Sequence, residues 1–344
     1  MKHKSHPTQV IKAVALGIVL CLGAIALTYT LTTRSPAELP QAAYVQRTQT
    51  PNLAQTWIVS ASEAKTLIDQ GATLLDARSN QWLGLNRLPG SVSVRWQDFS
   101  PQHKVSKGNL LDNNARLAQK LKKLKIAQNR PVVVFANPPR GWGEEGRIVW
   151  MLRTLGHQQV AMVDGGYTAL VQVNPIPTTQ PRIGNFAIHR NVAWQMQQAT
   201  LKASLKNANL VIIDTRTPKE YAGATPYGEQ RPGHIPGAVS LHFRDLLTPQ
   251  GMLLPQAEIL AKLQRMGITR DKEIVAYCTG GIRSGWLTVV LTDLGFQVKN
   301  YAGSMWEWSA GSPQEYPLTV KSELLSRSCL EETHANQGFS ETIG

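Results

Sequence analysis

One feature constrains the fold of this sequence more than any other: the central part of the chain is duplicated. The segment "LLDARSNQW" at 74–82 corresponds to "IIDTRTPKE" at 212–220, and "LPGSV" at 88–92 corresponds to "IPGAV" at 235–239. Two longer pairs follow in the same order, "LKIAQNRPVVVFAN" with "MGITRDKEIVAYCT" and "LGHQQVAMVDGG" with "LGFQVKNYAGS". A period of about 140 residues is that of a whole domain rather than of a solenoid repeat. We therefore expect two domains that share one fold.

Each copy alternates helical and extended patterns. In the first copy, Ser60 and Glu63 have the spacing of a capping box and predict the start of a helix. The apolar runs "ATLLDAR" and "PVVVFAN" are typical of short buried strands, and "GRIVWMLRTLG" is typical of a helix that ends at Gly156. Strands that alternate with helices form parallel sheets. The predicted fold class is therefore α/β, with two tandem domains that each contain a mostly parallel sheet flanked by helices.

A long apolar segment precedes the duplicated part. Between Lys12 and Arg34 lie the 21 uncharged, mostly apolar residues Ala13–Thr33, which are enough to span a bilayer as a helix. Lys2 and Lys4 add positive charge before this segment, and the positive flank of a span stays in the cytoplasm. We expect a transmembrane or signal-anchor helix, with the rest of the chain in the periplasm or an equivalent extracytoplasmic space. The alternative is a long signal peptide whose cleavage leaves a secreted protein.

These patterns divide the chain into segments. The interdomain linker is indicated by Pro175, Pro177 and Pro181, and the tail by its polar, aperiodic sequence. The predicted segments are a basic start (1–12), the membrane or signal helix (13–33), a linker (34–56), domain 1 (57–172), the interdomain linker (173–194), domain 2 (195–318) and a loose tail (319–344).

The formal net charge of +13 raises the question of nucleic-acid binding. The densest basic run, "KLKKLK" at 120–125, carries leucines at helical spacing and is typical of the solvated face of an amphipathic helix. No stretch interleaves basic and aromatic residues as RNA-recognition strands do. The charge therefore favours a small anionic substrate, and we expect no nucleic-acid partner.

The sequence contains three cysteines, Cys21, Cys278 and Cys329, and none belongs to a C-x-x-C pair. This excludes zinc ribbons, thioredoxin-type chemistry and a disulfide framework, and we expect neither a metal nor a cofactor. Cys21 lies within the apolar segment and Cys329 within the tail. Cys278 is therefore the cysteine whose setting suggests chemistry.

Cys278 follows the strand-like run "EIVAY" and opens the segment "CTGGIRS". Ligands of parallel sheets bind at the carboxyl ends of the strands, where we expect Cys278 to lie. Gly280 and Gly281 let the backbone curl so that amide groups point inward, and the next helix presents its N-terminus to the same spot. Together with Arg283, these features favour an anionic, reactive sulfur. The alternative is a buried structural cysteine, since free cysteine is among the most buried residue types.

In the second copy, the motifs "DTRTPKEYAG", "RPGHIPGAV", "YCTGGIRS" and "YAGSMWEW" resemble those of the tandem-domain rhodaneses, which are thiosulfate and 3-mercaptopyruvate sulfurtransferases. The resemblance covers residues 60–308. It implies that the Cys278 thiolate takes the sulfane sulfur of a small anionic donor as a persulfide and passes it to cyanide or a thiol acceptor.

The resemblance and the loop together indicate a set of site residues. Cys278 is the expected catalytic nucleophile. The expected substrate-binding residues are Thr279, Gly280, Gly281, Ile282, Arg283, Ser284 and, at the mouth of the site, Arg231. The residues expected to support the site by ordering nearby loops are Asp214, Arg216 and His234. The tryptophans that either shield the persulfide from water or pack in the core are Trp286, Trp306 and Trp308.

The first copy departs from the family pattern. Ala136 stands where the second copy has Cys278, and the loop after it, "NPPRGWGEEG", is longer and carries Glu144 and Glu145. We expect those two carboxylates to oppose an anionic substrate. The resemblance implies that such a domain is inactive, packs against the active domain and helps to wall its site.

Other functions use related sequences. Cysteine phosphatases of related fold have five residues between cysteine and arginine, whereas four lie between Cys278 and Arg283 here. A membrane-tethered persulfide carrier or sulfur-responsive module is a second alternative, which an assay for turnover separates from an enzyme. RNA-modifying relatives share the C-T-G-G-I-R loop, but they act on cytoplasmic RNA, and the apolar N-terminal segment argues against such a function here. Among donors we favour thiosulfate over 3-mercaptopyruvate because of Arg283.

Overall fold

The structure is a computed structural model that describes residues 50–79, 86–173 and 184–320. In the first domain the elements are β1 (Ile58–Val59), α1 (Ala61–Asp69), β2 (Thr73–Asp76), β3 (Val92–Ser93), α2 (Asn114–Lys123), β4 (Val132–Phe135), α3 (Glu144–Thr154), β5 (Val160–Val163) and α4 (Gly166–Leu170). In the second they are α5 (Gln198–Ser204), β6 (Leu210–Asp214), α6 (Pro218–Ala222), β7 (Val239–Ser240), α7 (Gln256–Arg265), β8 (Glu273–Tyr277), α8 (Ile282–Asp293), β9 (Gln297–Asn300) and α9 (Ser304–Trp308). Short 3₁₀ turns cover 96–99, 192–194 and 243–246.

Each domain contains one sheet, and every strand pairing in both sheets is parallel. The first sheet has the strand order β1-β5-β4-β2-β3 and the second has the order β7-β6-β8-β9. In the second domain a single parallel bridge between Gln195 and Asn300 lies beside β9, where β1 lies beside β5 in the first domain. The prediction of two tandem α/β domains with parallel sheets and flanking helices is therefore confirmed.

The capping box predicted at Ser60 and Glu63 is present in the structure. The Ser60 hydroxyl accepts a hydrogen bond from the Glu63 amide at 3.2 Å, and the Glu63 carboxylate accepts one from the Ser60 amide at 2.8 Å. A second capping box, formed by Thr217 and Glu220, starts α6 in the second domain. Gly156 has a φ of +101° after α3, a conformation that favours glycine.

The terminal segments of the chain lie outside this description. Among the residues that the structure describes, no helix is long and apolar enough to cross a membrane. The predicted span Ala13–Thr33 and the cysteines Cys21 and Cys329 lie outside the described residues. So does the predicted tail (319–344), except for its first two residues, of which Thr319 forms an antiparallel bridge with His234.

The two domains pack through corresponding helices, α3 and α8. All eleven residues of α3 are buried, as are nine of the twelve in α8. Neither helix therefore has the broad solvent-exposed face of an ordinary amphipathic helix. A Cβ placed on Gly146 would lie 2.4 Å from the Trp286 Cα, and a Cβ on Gly285 would lie 3.3 Å from the Arg147 Cα. The two helix backbones therefore approach most closely where each presents a glycine.

The expectation that Glu144 and Glu145 oppose an anionic substrate is not met, because both side chains are buried at the start of α3. The Glu144 carboxylate accepts a hydrogen bond from the Trp142 amide at 2.7 Å and so closes its own loop. Glu145 is 1% exposed, and its Oε2 has no hydrogen-bond partner among the described residues. Burial, followed by the nearby charge of Glu144, raises the pKa of Glu145 from 4.5 to about 8, so the carboxyl is neutral at pH 7.

We predict that Glu145→Gln stabilises the protein at pH 8 but not at pH 4. Because the folded-state pKa is raised, the folded carboxyl stays protonated while the unfolded one ionises, so stability falls as the pH rises from 4.5 towards 8. A glutamine amide does not ionise, and the free energy of unfolding should rise by about 1–3 kcal/mol at pH 8. Urea denaturation of the purified protein at pH 4 and pH 8 measures this.

The matched control is Glu315→Gln, which changes an exposed glutamate paired with Lys202 and should alter stability little at either pH. Equal unfolding free energies for Glu145→Gln and the natural protein at pH 8 would show that Glu145 is ionised in the fold.

Candidate active site

Cys278 follows β8 directly, at the carboxyl end of a central strand that has β6 on one side and β9 on the other. Its side chain is 1% exposed. Gly281 has a φ of +81° and is the N-cap of α8, which Ile282 begins. A Cβ on Gly280 would lie 2.0 Å from the Trp306 ring, so no larger residue fits there. Both glycines are therefore required for the loop to curl between the strand and the helix.

The Gly281 amide and the Ser284 hydroxyl both face the sulfur. The Gly281 amide lies 3.1 Å from the Cys278 Sγ, and the Ser284 hydroxyl lies 3.6 Å from it. The same hydroxyl lies 2.7 Å from the Asn300 Oδ1, so its single proton serves one of these acceptors at a time. The Cys278 amide donates to the Ser304 hydroxyl at 3.1 Å, which fixes the backbone under the sulfur.

This environment favours the thiolate. Burial by itself raises the pKa of the Cys278 thiol, but the charge of Arg283 and the hydrogen bonds from Ser284 and the Gly280 backbone outweigh it, and the pKa is lowered overall. The N-terminus of α8 points at the same sulfur and adds a partial positive charge. The loop is therefore suited to hold a negative charge on sulfur.

Arg283 is held by a partner that the sequence analysis did not identify. Its two terminal nitrogens each lie 2.7 Å from an oxygen of Glu220, and Nη2 also donates to the Thr279 hydroxyl at 2.8 Å. This pairing overcomes the effect of burial and lowers the pKa of Glu220 to about 2. We expected Arg283 to hold the donor directly; its guanidinium instead binds a carboxylate of its own domain and acts on the sulfur through its charge.

Thr279 links this ion pair to a second acidic residue. Its hydroxyl lies 3.1 Å from the Glu220 Oε1 and 3.1 Å from the Glu229 Oε1, and Glu229 is buried. Glu220 stands at the end of the duplicated segment 212–220 and is also the third helical residue of a capping box. The capping pattern alone explains a glutamate at this position, so the sequence does not indicate that Glu220 also binds Arg283.

Asp214 and Arg216 support the sheet edge as expected. Arg216 Nη2 lies 2.7 Å from the Asp214 Oδ2 and 2.8 Å from the Gly233 carbonyl, which it holds by hydrogen bonding. Asp76 and Arg78 form the same buried pair at 2.7 Å in the first domain. Because the pair recurs in a domain that has no cysteine, it belongs to the scaffold rather than to the chemistry.

His234 and Arg231 order loops rather than face the sulfur. The His234 ring stacks on Tyr221 with 3.7 Å between centroids, and its Nδ1 lies 2.8 Å from the Tyr221 carbonyl. We expected Arg231 at the mouth of the site. Its guanidinium instead donates to the backbone carbonyls of Trp308, Ser309 and Tyr316, and it ties the end of the second domain to the loop before β7.

The three tryptophans have separate roles. Trp306 packs against Gly280 and donates its indole N–H to the Tyr227 carbonyl at 2.9 Å. Trp286 lies in the α3–α8 interface, and Trp308 is buried in the core with its indole N–H on the Pro317 carbonyl at 3.0 Å. Trp306 is therefore the one that contacts the cysteine loop directly.

The first domain forms part of the wall around the site. A Cβ on Gly108 would lie 3.1 Å from the Gly280 Cα, and the Lys107 Nζ lies 3.6 Å from the centre of the Trp306 ring. Trp142 of the first domain and Tyr227 of the second, each 40% exposed, form an edge-to-face pair with 5.7 Å between ring centroids. Both rings also lie near the Arg283 guanidinium, with centroids at 5.2 and 5.9 Å.

Ala136 follows β4 as Cys278 follows β8, and it is buried. The first domain thus has the strand edge of the site without a sulfur. Among the described residues, no group of three His, Cys, Asp or Glu side chains is placed to hold a metal ion.

Comparisons with known proteins agree with this geometry. The family model of the Rhodanese-like domain matches residues 60–172 and 197–311. The thiosulfate sulfurtransferase of Azotobacter vinelandii is 35% identical over 192 residues, which are 55% of this chain and 69% of that protein. Human 3-mercaptopyruvate sulfurtransferase is 26% identical over 206 residues, which are 58% of this chain and 69% of that protein.

Among solved structures, the crystal structure of SseA from Escherichia coli, described with the 3-mercaptopyruvate sulfotransferases, superposes with a TM-score of 0.61 at 23% identity. The superposition covers 72% of this chain and 98% of that chain, and it supports the fold alone. The family matches in both halves and the sulfurtransferase relatives lead to one conclusion: the chain belongs to the rhodanese family, as a tandem-domain rhodanese sulfurtransferase.

Proposed function

We propose that the protein transfers sulfane sulfur from thiosulfate to cyanide or a thiol through a persulfide on Cys278. The observation that carries the proposal is the setting of the sulfur: a buried Sγ, 3.1 Å from the Gly281 amide and beside Arg283, with a lowered pKa. A loop of this kind stabilises the anion that the reaction needs at both of its stages, the thiolate before transfer and the persulfide after it.

The proposed steps balance without an added oxidant or reductant. The Cys278 thiolate attacks the outer sulfur of thiosulfate, the sulfur–sulfur bond of the donor breaks, and sulfite leaves with the electron pair. The acceptor, cyanide or a thiolate, then attacks the outer sulfur of the Cys278 persulfide. Thiocyanate or a new persulfide leaves, and the Cys278 thiolate is restored. Donor and acceptor react in turn, so the kinetics should be ping-pong.

Thiosulfate is favoured over 3-mercaptopyruvate as the donor because mercaptopyruvate enzymes of the family lack an arginine at the position of Arg283. Sequence identity does not separate the two donors, since a thiosulfate sulfurtransferase and a probable 3-mercaptopyruvate sulfurtransferase of Pseudomonas aeruginosa share 32% and 30% identity with this chain. Parallel assays with both donors decide between them.

The geometry around Arg283 argues against a cysteine phosphatase. A phosphatase uses the loop arginine to bind phosphoryl oxygens, but both terminal nitrogens of Arg283 are bound to Glu220. A persulfide adds a single sulfur and one shared charge, which the Gly281 amide and Ser284 can accommodate.

We also propose that the body lies outside the cytoplasm, held there by the apolar segment Ala13–Thr33 or released after its cleavage. The support is the length of that segment and the lysines that precede it. The proposal concerns where donor and acceptor are met and is independent of the chemistry at Cys278.

Cys278→Ser should abolish sulfur transfer and leave the fold unchanged, because a hydroxyl cannot carry a persulfide. Thiosulfate:cyanide transfer by the purified protein measures turnover, and circular dichroism checks the fold. After thiosulfate treatment, mass spectrometry of the natural protein should find one added sulfur on the peptide that contains Cys278. The matched control is Cys329→Ser, which should keep full activity; turnover at the natural rate in Cys278→Ser would refute the mechanism.

An alkaline phosphatase reporter fused to the C-terminus of the full chain should be active, because that enzyme matures only outside the cytoplasm. A fusion that lacks residues 1–34 is the control and should be inactive. Activity of a cytoplasmic reporter such as β-galactosidase at the same fusion point would contradict the proposed orientation.

A further inference from the structure

Arg147 belongs to the domain without a cysteine, yet its guanidinium lies in the loop that holds Cys278. It stands on α3 next to Gly146, where α3 crosses α8. Its Nη1 donates to the Gly281 carbonyl at 3.2 Å, and its Nη2 donates to the Gly108 carbonyl at 2.6 Å. Arg147 therefore bridges the cysteine loop of one domain and the covering segment of the other.

Gly281 is the residue through which Arg147 reaches the sulfur. The amide of Gly281 points at the Cys278 Sγ at 3.1 Å, while its carbonyl accepts from Arg147, from the Asn300 side chain at 3.1 Å and from the Gly285 amide at 3.2 Å. The amide and the carbonyl of Gly281 belong to adjacent peptide planes that meet at its Cα. Donors that hold the carbonyl therefore restrict the conformation of Gly281, and a shift of the carbonyl would disturb the amide that lies 3.1 Å from the sulfur.

The charge of Arg147 is not balanced by a carboxylate. The side chain is 1% exposed, and among the described residues it takes part in no salt bridge. Its Nε has no hydrogen-bond partner there, and the guanidinium lies 4.5 Å from the centre of the Trp150 ring. Burying an unpaired cation is unfavourable, and a nearby anion would offset that cost.

The anion in question is the sulfur. Burial lowers the pKa of Arg147 to about 9, so it remains charged at pH 7, and the Cys278 thiolate is the group whose charge opposes that lowering. Other charged or titratable groups near the loop are Arg283 with its partner Glu220, Glu229 on Thr279, Glu307 next to Gly303, Lys107 over the Trp306 ring, and His242. Arg283 also stabilises the thiolate, but it is paired with Glu220, whereas Arg147 has no carboxylate partner among the described residues.

We propose that Arg147 is a positioning residue for sulfur transfer: it fixes the Gly281 carbonyl, and its buried charge stabilises anionic sulfur on Cys278 across the domain boundary. The proposal rests on the proposed function for the identity of the reaction. It gives the first domain a direct part in the chemistry of the second, beyond covering it.

Two variants of Arg147 separate its charge from its geometry. Arg147→Met keeps the length of the side chain and its packing on Trp150 but removes the charge and the hydrogen bonds to the Gly281 and Gly108 carbonyls and to the Ser100 hydroxyl. Arg147→Lys keeps the charge but lacks the planar fork that spans the two carbonyls. Arg153→Met is the matched control, since Arg153 is a buried arginine of the same helix that binds the carbonyls of Leu53, Thr56 and Val160, away from Cys278.

The first measurement is the rate at which iodoacetamide alkylates Cys278 in the full-length protein as a function of pH, followed on the Cys278 peptide by mass spectrometry. Arg147→Met should raise the apparent pKa of the Cys278 thiol by about one unit. Arg147→Lys and Arg153→Met should leave that pKa unchanged, although Arg153→Met lowers thermal stability. A folded Arg147→Met variant with the natural pKa would overturn the charge part of the proposal.

The second measurement is thiosulfate:cyanide turnover. Arg147→Met should lower kcat about tenfold or more, with a smaller change in KM, and Arg147→Lys should recover only part of it. A natural kcat in Arg147→Lys would overturn the positioning part, and this variant decides that part even if Arg147→Met does not fold. If the natural protein transfers no sulfur while Arg147→Met still shifts the pKa of Cys278, the proposed function fails and the role of Arg147 toward the thiolate stands.

Discussion

The close crossing of α3 and α8 is the contact on which the rest of this molecule depends. The helices meet at Gly146 and Gly285, and any side chain at Gly146 would collide with the backbone of Trp286. Because the backbones come this close, both helices lose nearly all of their exposure to water, and the gain in buried apolar area holds the domains together. The N-terminus of α8 carries the cysteine loop, so the same contact sets the site.

Two pairs of buried opposite charges lie at the carboxyl edge of the second sheet. Asp214 with Arg216 and Glu220 with Arg283 are buried, bidentate pairs, and such pairs offset most of the cost of removing charge from water. Arg147 has no such partner among the described residues. Arg147 thus adds, near Cys278, a buried positive charge that is not paired with a carboxylate.

The sequence was sufficient for the fold and for the local part of the site. The duplication and the alternating periodicities predict two parallel sheets, and Gly280, Gly281 and Ser284 lie next to Cys278 in both sequence and space. The sequence does not reveal the site residues that come from distant parts of the chain, such as Arg147, because tertiary packing decides which remote side chains meet. The expectation for Glu144 and Glu145 is wrong for the same reason, because a sequence shows that a residue is acidic but not that its side chain is buried.

The helix crossing also makes the two repeated domains depend on each other. At the paired positions of the repeat, α3 carries Arg147 and α8 carries Trp286, and each side chain enters the other domain's loop region. The copies have therefore become complementary rather than equivalent. A chain without the first domain would expose α8 to water and would lack Arg147 beside Cys278. Selection for activity at Cys278 therefore also preserves the first domain, although that domain has no catalytic cysteine.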